Sequence, residues 1–474
     1  MKKYFLFAAA LLMALSVRAQ QEDVYSDAAN FNNWRNNMFE AMPIDSDDIV
    51  FVGNSITNNH EWREAFGGNP NIKARGISGI TTDEVMAEID SYVAGHPAKL
   101  FLMIGTNDMN SAGKRDPQRV NDYIRAIVER IRLQSPTTEV YVQSILPVGP
   151  SQVNNRFPQF IYETNELMKA MAEGMEKVTY VDLWSLFIDD NRNFAKPELL
   201  GEDHLHLSCT GYALWCKTIA PLVGETCVYP EVVNETKGWG GSGFANHDAR
   251  HAMFTNLPVT GKDVLMFGGG EIMNCLWNEL LRCDNVKNRA SNLDFGGVNI
   301  NGARVFAEAA LADNDLHEDP AAVFFQVGQP DVWNTTTALE TVLQRYNELV
   351  TKVHTLAPTS HFYIMSLAPY ADAEQNTTRV VPFNRMLEEY AATLDYVTYI
   401  DLYDCLYDGV TKMSRQDLCN NHLFYARAYA RMAEIMAPYI GKDVKPVTME
   451  EVIANEERAW ARRPLSSMIS DVLK

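Results

Sequence analysis

The feature that most constrains the fold of this 474-residue chain is an internal repeat with a period of roughly 220 residues. Residues 38–53 align with residues 253–268 at a shift of 215, and both segments end in a glycine that follows an apolar run. Further matches follow in the same order: 72–75 with 286–289, 100–105 with 323–328, 140–147 with 362–369, 180–184 with 399–403, and 204–205 with 422–423. A repeat this long predicts two domains of one fold, because solenoid repeats span only about 20–50 residues.

Each copy alternates short apolar runs with longer amphipathic segments. In the first copy, runs rich in Val, Ile, Tyr and Phe predict strands at 49–52, 100–104, 139–145 and 179–183. Helical spacing predicts helices at 118–133 and 161–177. This alternation is typical of a parallel sheet covered by helices on both faces, and ligands of such sheets bind beyond the carboxyl ends of the strands.

The N-terminus predicts a signal peptide over residues 1–19. Lys2 and Lys3 precede an apolar run over residues 4–17, and Val17 and Ala19 place small side chains at the −3 and −1 positions of a cleavage site. The run is shorter than the roughly 20 residues that a membrane-spanning helix needs. We therefore expect a secreted or periplasmic protein without a membrane span, the alternative being a buried N-terminal helix.

Charge and cysteine content argue against nucleic acid, anionic lipid and zinc as partners. The formal net charge is −20, from 41 basic and 61 acidic side chains, and an acidic surface repels nucleic acid and anionic lipid. The seven cysteines are odd in number and show no C-x-x-C spacing, so a zinc site is not expected. Most of them are interpreted as small buried hydrophobic residues.

Polar groups follow the predicted strands of the first copy. Ser55 comes two residues after Gly53 and would begin a helix, where the first N–H groups lack intrahelical partners. Asn107 follows the strand at 100–104, and Gly79 lies between these two segments. Taken singly, the serine is equally well explained as a helix cap and the asparagine as a turn former.

Asp203 and His206 precede the last predicted helix of the first copy. Because they are three residues apart, the carboxylate can orient the imidazole while the ring faces Ser55. His204 is an alternative base, and Asp203 with both histidines is an alternative metal cluster, although no further ligand stands nearby at suitable spacing.

At these residues the sequence resembles the SGNH hydrolases, also called the GDSL family of esterases and lipases. The resemblance covers about residues 38–224 and is closest to small secreted members called sialate O-acetylesterase-like or acetylhydrolase-like. Asn54 departs from the aspartate usual in the family. The four family blocks stand in order as Gly53-Asn54-Ser55-Ile56, Gly79, Gly105-Thr106-Asn107-Asp108 and Asp203-His204-Leu205-His206.

The resemblance implies two tandem flavodoxin-like three-layer α/β/α domains with parallel sheets, the SGNH hydrolase fold, with catalysis in residues 20–230. Ser55 would be the nucleophile, His206 the base and Asp203 its partner, and Ser55, Gly79 and Asn107 would form the oxyanion hole. The family needs no cofactor or metal. The implied substrate is a small-molecule or polysaccharide acyl ester, with acetyl groups on carbohydrates favoured. A lipase, lysophospholipase or thioesterase is the alternative enzyme, and a glycan-binding or scaffold protein is the alternative of another class.

The second copy, over residues 231–446, is predicted to keep the fold and to lack the catalytic residues. The positions of the five site residues are taken by Gly270, Leu293, Pro330, Asn421 and Phe424. Such a domain is expected to pack on the first, to hold a glycan or to cap the active site. Residues 447–474 predict a helical tail that docks on the body through apolar anchors, namely Val452, Ile453, Trp460, Leu465, Met468 and Ile469.

Overall fold

The computed structural model describes residues 31–110, 116–235, 245–291, 299–311, 315–420, 423–459 and 461. The predicted signal peptide therefore lies outside the described residues. Within the ranges given, every helix is too short or too polar to cross a membrane.

The first sheet has five parallel strands in the order β2-β1-β3-β4-β5. Its strands are β1 (Ile49–Gly53), β2 (Ile72–Gly76), β3 (Lys99–Met103), β4 (Glu139–Gln143) and β5 (Val178–Val181). Four of them coincide with predicted apolar runs to within a few residues. The sequence pattern does not reveal β2, because two of its five residues are charged, and each is paired with a carboxylate outside the strand, Lys73 with Asp48 and Arg75 with Glu279.

Helices cover both faces of this sheet, and two of them, α6 and α7, correspond to the predicted helices. The Asp116 carboxylate begins α6 by accepting hydrogen bonds from the N–H groups of Gln118 and Arg119. The helices are α1 (Phe31–Ala41), α2 (Ser55–Asn58), α3 (Trp62–Ala65), α4 (Thr82–Tyr92), α5 (Thr106–Asn110), α6 (Pro117–Gln134), α7 (Pro158–Glu173), α8 (Trp184–Phe187) and α9 (Cys209–Val223), with 3₁₀ turns at Pro150–Gln152 and Pro197–Leu199.

The second half repeats this architecture, with a parallel sheet in the order β7-β6-β8-β9-β10. Its strands are β6 (Val264–Gly268), β7 (Val286–Asn288), β8 (Ala322–Gln326), β9 (His361–Met365) and β10 (Val397–Ile400). Both sheets thus share one strand order, as the repeat predicts, and the fold is α/β with two parallel sheets.

The helices of the second half flank its sheet in the same succession. They are α10 (Ala245–Asn256), α11 (Gly270–Met273), α12 (Trp277–Leu280), α13 (Ile300–Leu311), α14 (Gln329–Trp333), α15 (Leu339–Leu356), α16 (Ala373–Gln375) running into a π-helix (Asn376–Val380) and α17 (Val381–Ala391), α18 (Tyr403–Leu406) and α19 (Ala426–Ile440). Two short antiparallel ladders pair Tyr407–Asp408 with Met413–Ser414 and Cys419–Asn420 with Leu423–Phe424.

The helix that precedes each sheet packs on both halves of the molecule. In α1, Trp34 and Met38 join the core of the second half, whereas Phe39 joins that of the first. In α10 the equivalent residues show the reverse, since Met253 joins the core of the first half and Phe254 that of the second. The two halves are therefore joined by a shared apolar interface that is related by an approximate twofold rotation.

Two buried ion pairs cross this interface in the same reciprocal manner. Arg75 of β2 forms a bidentate pair with Glu279 of α12, with N···O distances of 2.9 and 3.0 Å. The equivalent Arg289 lies 2.7 and 2.9 Å from the carboxylate oxygens of Glu64 in α3. Each arginine lies within or just after the second strand of its own sheet, and each reaches a glutamate of the other half.

The last described segment docks near the same interface. Residues 449–459 are helical, Val452 is buried, and the Val447 N–H donates to the carbonyl of Leu280 at 2.7 Å. The anchors predicted at Trp460, Leu465, Met468 and Ile469 lie outside the residues whose side chains are described. All seven cysteines are free, and four of them are buried, namely Cys209, Cys216, Cys275 and Cys419.

Candidate active site

The turn from β1 into α2 holds Ser55 at the first position of the helix. Asn54 caps that helix, because its side-chain oxygen accepts a hydrogen bond from the Ile56 N–H at 3.0 Å. An asparagine therefore supports this turn as an aspartate would. A Cβ on Gly53 would lie 2.2 Å from Thr57 Oγ1 and 2.4 Å from the Met103 carbonyl, so only glycine allows the strand to end this close to its neighbours.

Ser55, His206 and Asp203 form a continuous hydrogen-bonded chain. His206 Nε2 lies 2.8 Å from Ser55 Oγ, and His206 Nδ1 lies 2.5 Å from Asp203 Oδ2. The other carboxylate oxygen of Asp203 accepts from the backbone N–H groups of Leu205 and His206, both at 3.0 Å. The carboxylate is thus fixed by its own loop and orients the ring, which is the arrangement of a nucleophile, a base and an orienting acid.

The ionisation of Asp203 suits this role. Partial burial opposes loss of its proton, but the hydrogen bond from His206, the charge of that ring and the two backbone N–H groups outweigh burial and hold the pKa of the carboxyl below its usual range. Asp203 is therefore an anion throughout the neutral range, and it can stabilise the imidazolium that forms when His206 accepts a proton.

The two further oxyanion candidates stand beside one another. Gly79 follows β2 with φ +86 and is exposed, a backbone conformation that favours glycine. Asn107 lies in α5 after β3, and its Nδ2 donates to the carbonyl of Ile80 at 2.9 Å, next to Gly79. Because β2 and β3 both pair with β1, all three loops leave the same edge of the sheet.

Arg156 is a site residue that the sequence pattern does not predict. Although it is buried, its guanidinium donates to three groups, namely Thr106 Oγ1 at 3.2 Å, Asn107 Oδ1 at 3.4 Å and Gln152 Oε1 at 2.9 Å. Gln152 in turn donates to the carbonyl of Asp203 at 2.9 Å. Arg156 therefore connects the asparagine loop with the loop that carries the acid. A lone arginine beyond β4 has no spacing signal, and its position after a strand end is the only hint.

His204 does not occupy the place of the base. It adopts φ +61, and its Nδ1 accepts a hydrogen bond from the Ser151 N–H at 3.3 Å. Its Cβ lies so close to Gly149 that a side chain at that glycine would approach it to 2.7 Å. His204 thus packs the loop after β4 against the loop that carries Asp203, and the ring that reaches Ser55 is that of His206.

At the equivalent edge of the second sheet, other residue types stand at the positions of the site residues. Gly270 begins α11 where Ser55 begins α2, and Pro330 lies in α14 at the position of Asn107. Phe424, at the position of His206, is 1% exposed and belongs to an apolar core with Trp34, whose indole N–H donates to the Phe424 carbonyl. Leu293 and Asn421 lie outside the described residues.

Comparison with known proteins places the first half in a family. Residues 51–214 match the GDSL-like Lipase/Acylhydrolase family. This range contains Ser55, Gly79, Asn107, Asp203 and His206. No curated protein matches the sequence.

The solved structures described next are similar to this chain, and each covers less than half of it. A GDSL-like lipase from Bacteroides thetaiotaomicron is 23% identical, with a TM-score of 0.36, and covers 41% of this chain and 98% of its own. A catalytic mutant of an acetylxylan esterase from Geobacillus stearothermophilus is 19% identical, with a TM-score of 0.32, covering 40% and 100%. A lipase/acylhydrolase from Enterococcus faecalis is 17% identical, with a TM-score of 0.33, covering 37% and 95%.

The family match and the residues that it spans lead to one conclusion. The matched range includes the loops after β1, β2 and β3, which lie at one edge of one sheet. Residues 51–214 form a domain that matches the GDSL-like lipase/acylhydrolase family, and this match indicates an ester hydrolase.

Proposed function

We propose that the protein is a secreted serine esterase that removes short acyl groups, acetyl above all, from carbohydrates. The single observation that carries the catalytic part is the hydrogen-bonded chain from Ser55 through His206 to Asp203, with distances of 2.8 and 2.5 Å. Within the family this corresponds to an acetylhydrolase-like or sialate O-acetylesterase-like member. Secretion rests on the signal peptide predicted at residues 1–19.

The proposed reaction proceeds through an acyl-enzyme. Ser55 Oγ attacks the ester carbonyl while His206 Nε2 takes the hydroxyl proton, and the imidazolium then gives that proton to the departing alcohol oxygen. A water molecule, deprotonated by the same ring, attacks the acyl-enzyme carbonyl, and the carboxylic acid is released as the imidazolium returns that proton to Ser55 Oγ. Each step leaves the enzyme in the protonation state that the next step needs.

The oxyanion of the tetrahedral intermediates is assigned to three donors. The Ser55 N–H belongs to the first helical turn, where no preceding carbonyl accepts it. The Gly79 N–H and the Asn107 amide, whose Nδ2 also donates to the Ile80 carbonyl, complete the set. Loss of one such donor in comparable sites lowers kcat by about 10²–10³.

The surroundings of the triad support a polar alcohol moiety. Asn58 Nδ2 donates to Ser78 Oγ at 3.3 Å on one side, and Ser151, Gln152 and His204 surround the Asp203 loop on the other. Amide, hydroxyl and imidazole groups of this kind hydrogen-bond sugar hydroxyls, whereas a long acyl chain binds in an apolar groove.

We propose that the second half has no hydrolytic site of its own. Gly270 offers no hydroxyl, Pro330 offers no amide donor, and the buried Phe424 cannot accept a proton. Its contribution is the shared interface with the first half, which includes the reciprocal ion pairs and the exchanged helix faces.

Hydrolysis of p-nitrophenyl esters by the full chain tests the proposal. The acetate ester should be cleaved faster than the palmitate ester, and Ser55→Ala should abolish cleavage, while Ser185→Ala, a matched change at an exposed serine bonded to Asp182, should not. Equal rates for wild type and Ser55→Ala would refute the catalytic assignment and favour a glycan-binding or scaffold protein. Preference for palmitate would favour the lipase alternative.

Two further measurements address substrate and location. Release of acetate from a panel of acetylated glycans should identify the carbohydrate class, and release from none of them would refute the carbohydrate part of the proposal. N-terminal sequencing of the exported protein should begin at Gln20, whereas retention of the full chain inside the cell would refute secretion.

A further inference from the structure

A polar cavity of about 60 Å³ lies at the interface between the two halves. It is bounded by the α2–α3 segment of the first half, by the α11–α12 segment of the second, and by α1 and α10. Five charged side chains line it, namely Arg35, Arg63, Arg250, Glu61 and Glu64. His60 also lines it and adds no charge at neutral pH, since burial lowers its pKa to about 3. Arg63 is paired with Asp284, Arg250 with Glu61 and Glu64 with Arg289, so the imbalance of charge in this lining comes from Arg35.

The approximate twofold relation between the halves explains the imbalance. Arg250 of α10 occupies a complete site, where Nη2 donates to Glu61 at 2.7 Å and Nε donates to the Ala290 carbonyl at 2.7 Å. Its counterpart at the shift of 215 is Arg35 of α1, and the counterpart of Glu61 is Leu276. The two arginines adopt the same pose, because each guanidinium lies 4.9 Å from the ring of the phenylalanine four residues later, Phe39 or Phe254. Arg250 therefore has a carboxylate partner, whereas Arg35 has a leucine at the equivalent position.

Arg35 is consequently a buried cation that lacks its counter-ion. The residue is 7% exposed, and its Nη1 donates to the carbonyl of Asn274 at 2.5 Å. Among the described residues, its Nε has no hydrogen-bond partner and no carboxylate lies within ion-pair distance of it. Burial lowers its pKa to about 10, so the guanidinium remains charged at neutral pH. A buried charge without a counter-ion carries a large desolvation cost.

We propose that the cavity beside Arg35 binds a small monovalent anion, chloride or a carboxylate no larger than acetate, in the place of the carboxylate that Leu276 replaces. A buried water needs about 10–15 Å³ of such space, so 60 Å³ admits one small ion with a few waters and no larger ligand. The hydrogen-bond donor is the guanidinium of Arg35, which also supplies the positive charge that attracts the anion. The inference does not depend on the proposed esterase activity.

Anion dependence of thermal stability tests the proposal on the full chain. Sodium chloride is exchanged for sodium gluconate, whose anion is too large for the cavity, at constant ionic strength. Wild type should have a higher Tm in chloride, because a ligand that binds only the folded state stabilises it. Leu276→Glu supplies an internal carboxylate, so its Tm should exceed that of wild type in gluconate and should differ little between the two salts.

Two matched variants separate the site from general salt effects. Arg35→Met removes the cation and should abolish the chloride-specific rise, while Glu61→Leu leaves Arg250 without its carboxylate and should add a second chloride-dependent increment. Diffraction from crystals soaked in bromide should show an anomalous peak at hydrogen-bond distance from the Arg35 guanidinium. Identical salt responses of wild type, Leu276→Glu and Glu61→Leu, with ordered water alone at Arg35, would overturn the proposal.

Discussion

Breaking one of the two reciprocal ion pairs should destabilise the protein far more than removing that pair entirely. The side chain of Arg289 is 0% exposed and that of Glu64 is 5% exposed, so Arg289→Met leaves an anion buried without a counter-ion. Loss of one partner of a buried pair costs about 3–5 kcal/mol, whereas replacement of both by apolar groups of similar volume is near neutral or stabilising. Arg289→Met/Glu64→Leu should therefore recover most of the loss, a coupling of roughly 3 kcal/mol.

The approximate twofold relation supplies a matched experiment within the same molecule. The pair of Arg75 with Glu279 has side chains 1% and 7% exposed, so Arg75→Met should cost a similar free energy and Arg75→Met/Glu279→Leu should recover it. Urea denaturation followed by tryptophan fluorescence measures the free energy of unfolding of all five proteins. Esterase activity followed in the same samples reports whether the α3 segment that carries Glu64 still supports the serine turn.

The outcome that would refute this reasoning is specific. A cost below about 1 kcal/mol for both single variants would mean that water reaches these side chains and that the halves are not docked in solution as described. A double variant no more stable than its single parent would show that the apolar pair cannot fill the space, and that packing rather than charge dominates the interface.

Four further changes have definite expected outcomes. Asp203→Asn should lower kcat/KM for p-nitrophenyl acetate by about 10⁴, because the amide favours the wrong imidazole tautomer; a loss below tenfold would contradict the triad. Arg156→Ala should lower kcat by roughly 10–100-fold with KM nearly unchanged, and Arg156→Lys should not rescue it, because one ammonium cannot reproduce the planar fork that reaches three acceptors; full activity of the lysine variant would argue against a positioning role. Burial raises the pKa of Glu271 from 4.5 to about 7, so the folded state keeps this proton after the unfolded state has lost it, and stability falls as pH rises through that window by about 3 kcal/mol. Glu271→Gln should remove that fall in the free energy of unfolding between pH values of about 4 and 8, and an unchanged slope would show that the carboxyl is hydrated. Gly53→Ala should cost at least about 1–3 kcal/mol and reduce activity, because its Cβ would meet backbone at 2.4 Å, whereas Gly409→Ala, with open space around it, should be neutral; equal effects of the two would contradict the crowding at the serine turn.

Much of the first half, which carries the candidate site, could be predicted from the sequence, because the sequence patterns that indicate its strands and site residues are local. Apolar runs mark four of the five strands, and a polar residue shortly after such a run lies at the carboxyl edge of a parallel sheet whatever the loops do. Ser55 and Asn107 follow this rule directly. The three-residue spacing of Asp203 and His206 places both on one turn, so their contact needed no long-range information. The second strand escaped detection because its charged residues are matched by partners elsewhere.

The sequence by itself thus predicted two copies of one α/β fold, the sheet edge that carries the candidate site, and the residues Ser55, His206 and Asp203 that form its hydrogen-bonded chain. Only the tertiary structure decided how the copies meet. Arg75 and Arg289 each neutralise a glutamate more than 200 positions away, and Arg35 has Leu276 at the position where Arg250 has its carboxylate partner Glu61. Arg156 likewise gains its role from loops that β3 and β4 bring together. Charge pairing across an interface leaves no periodic trace in either segment, because its energy depends on burial and orientation that exist only after the two halves have docked.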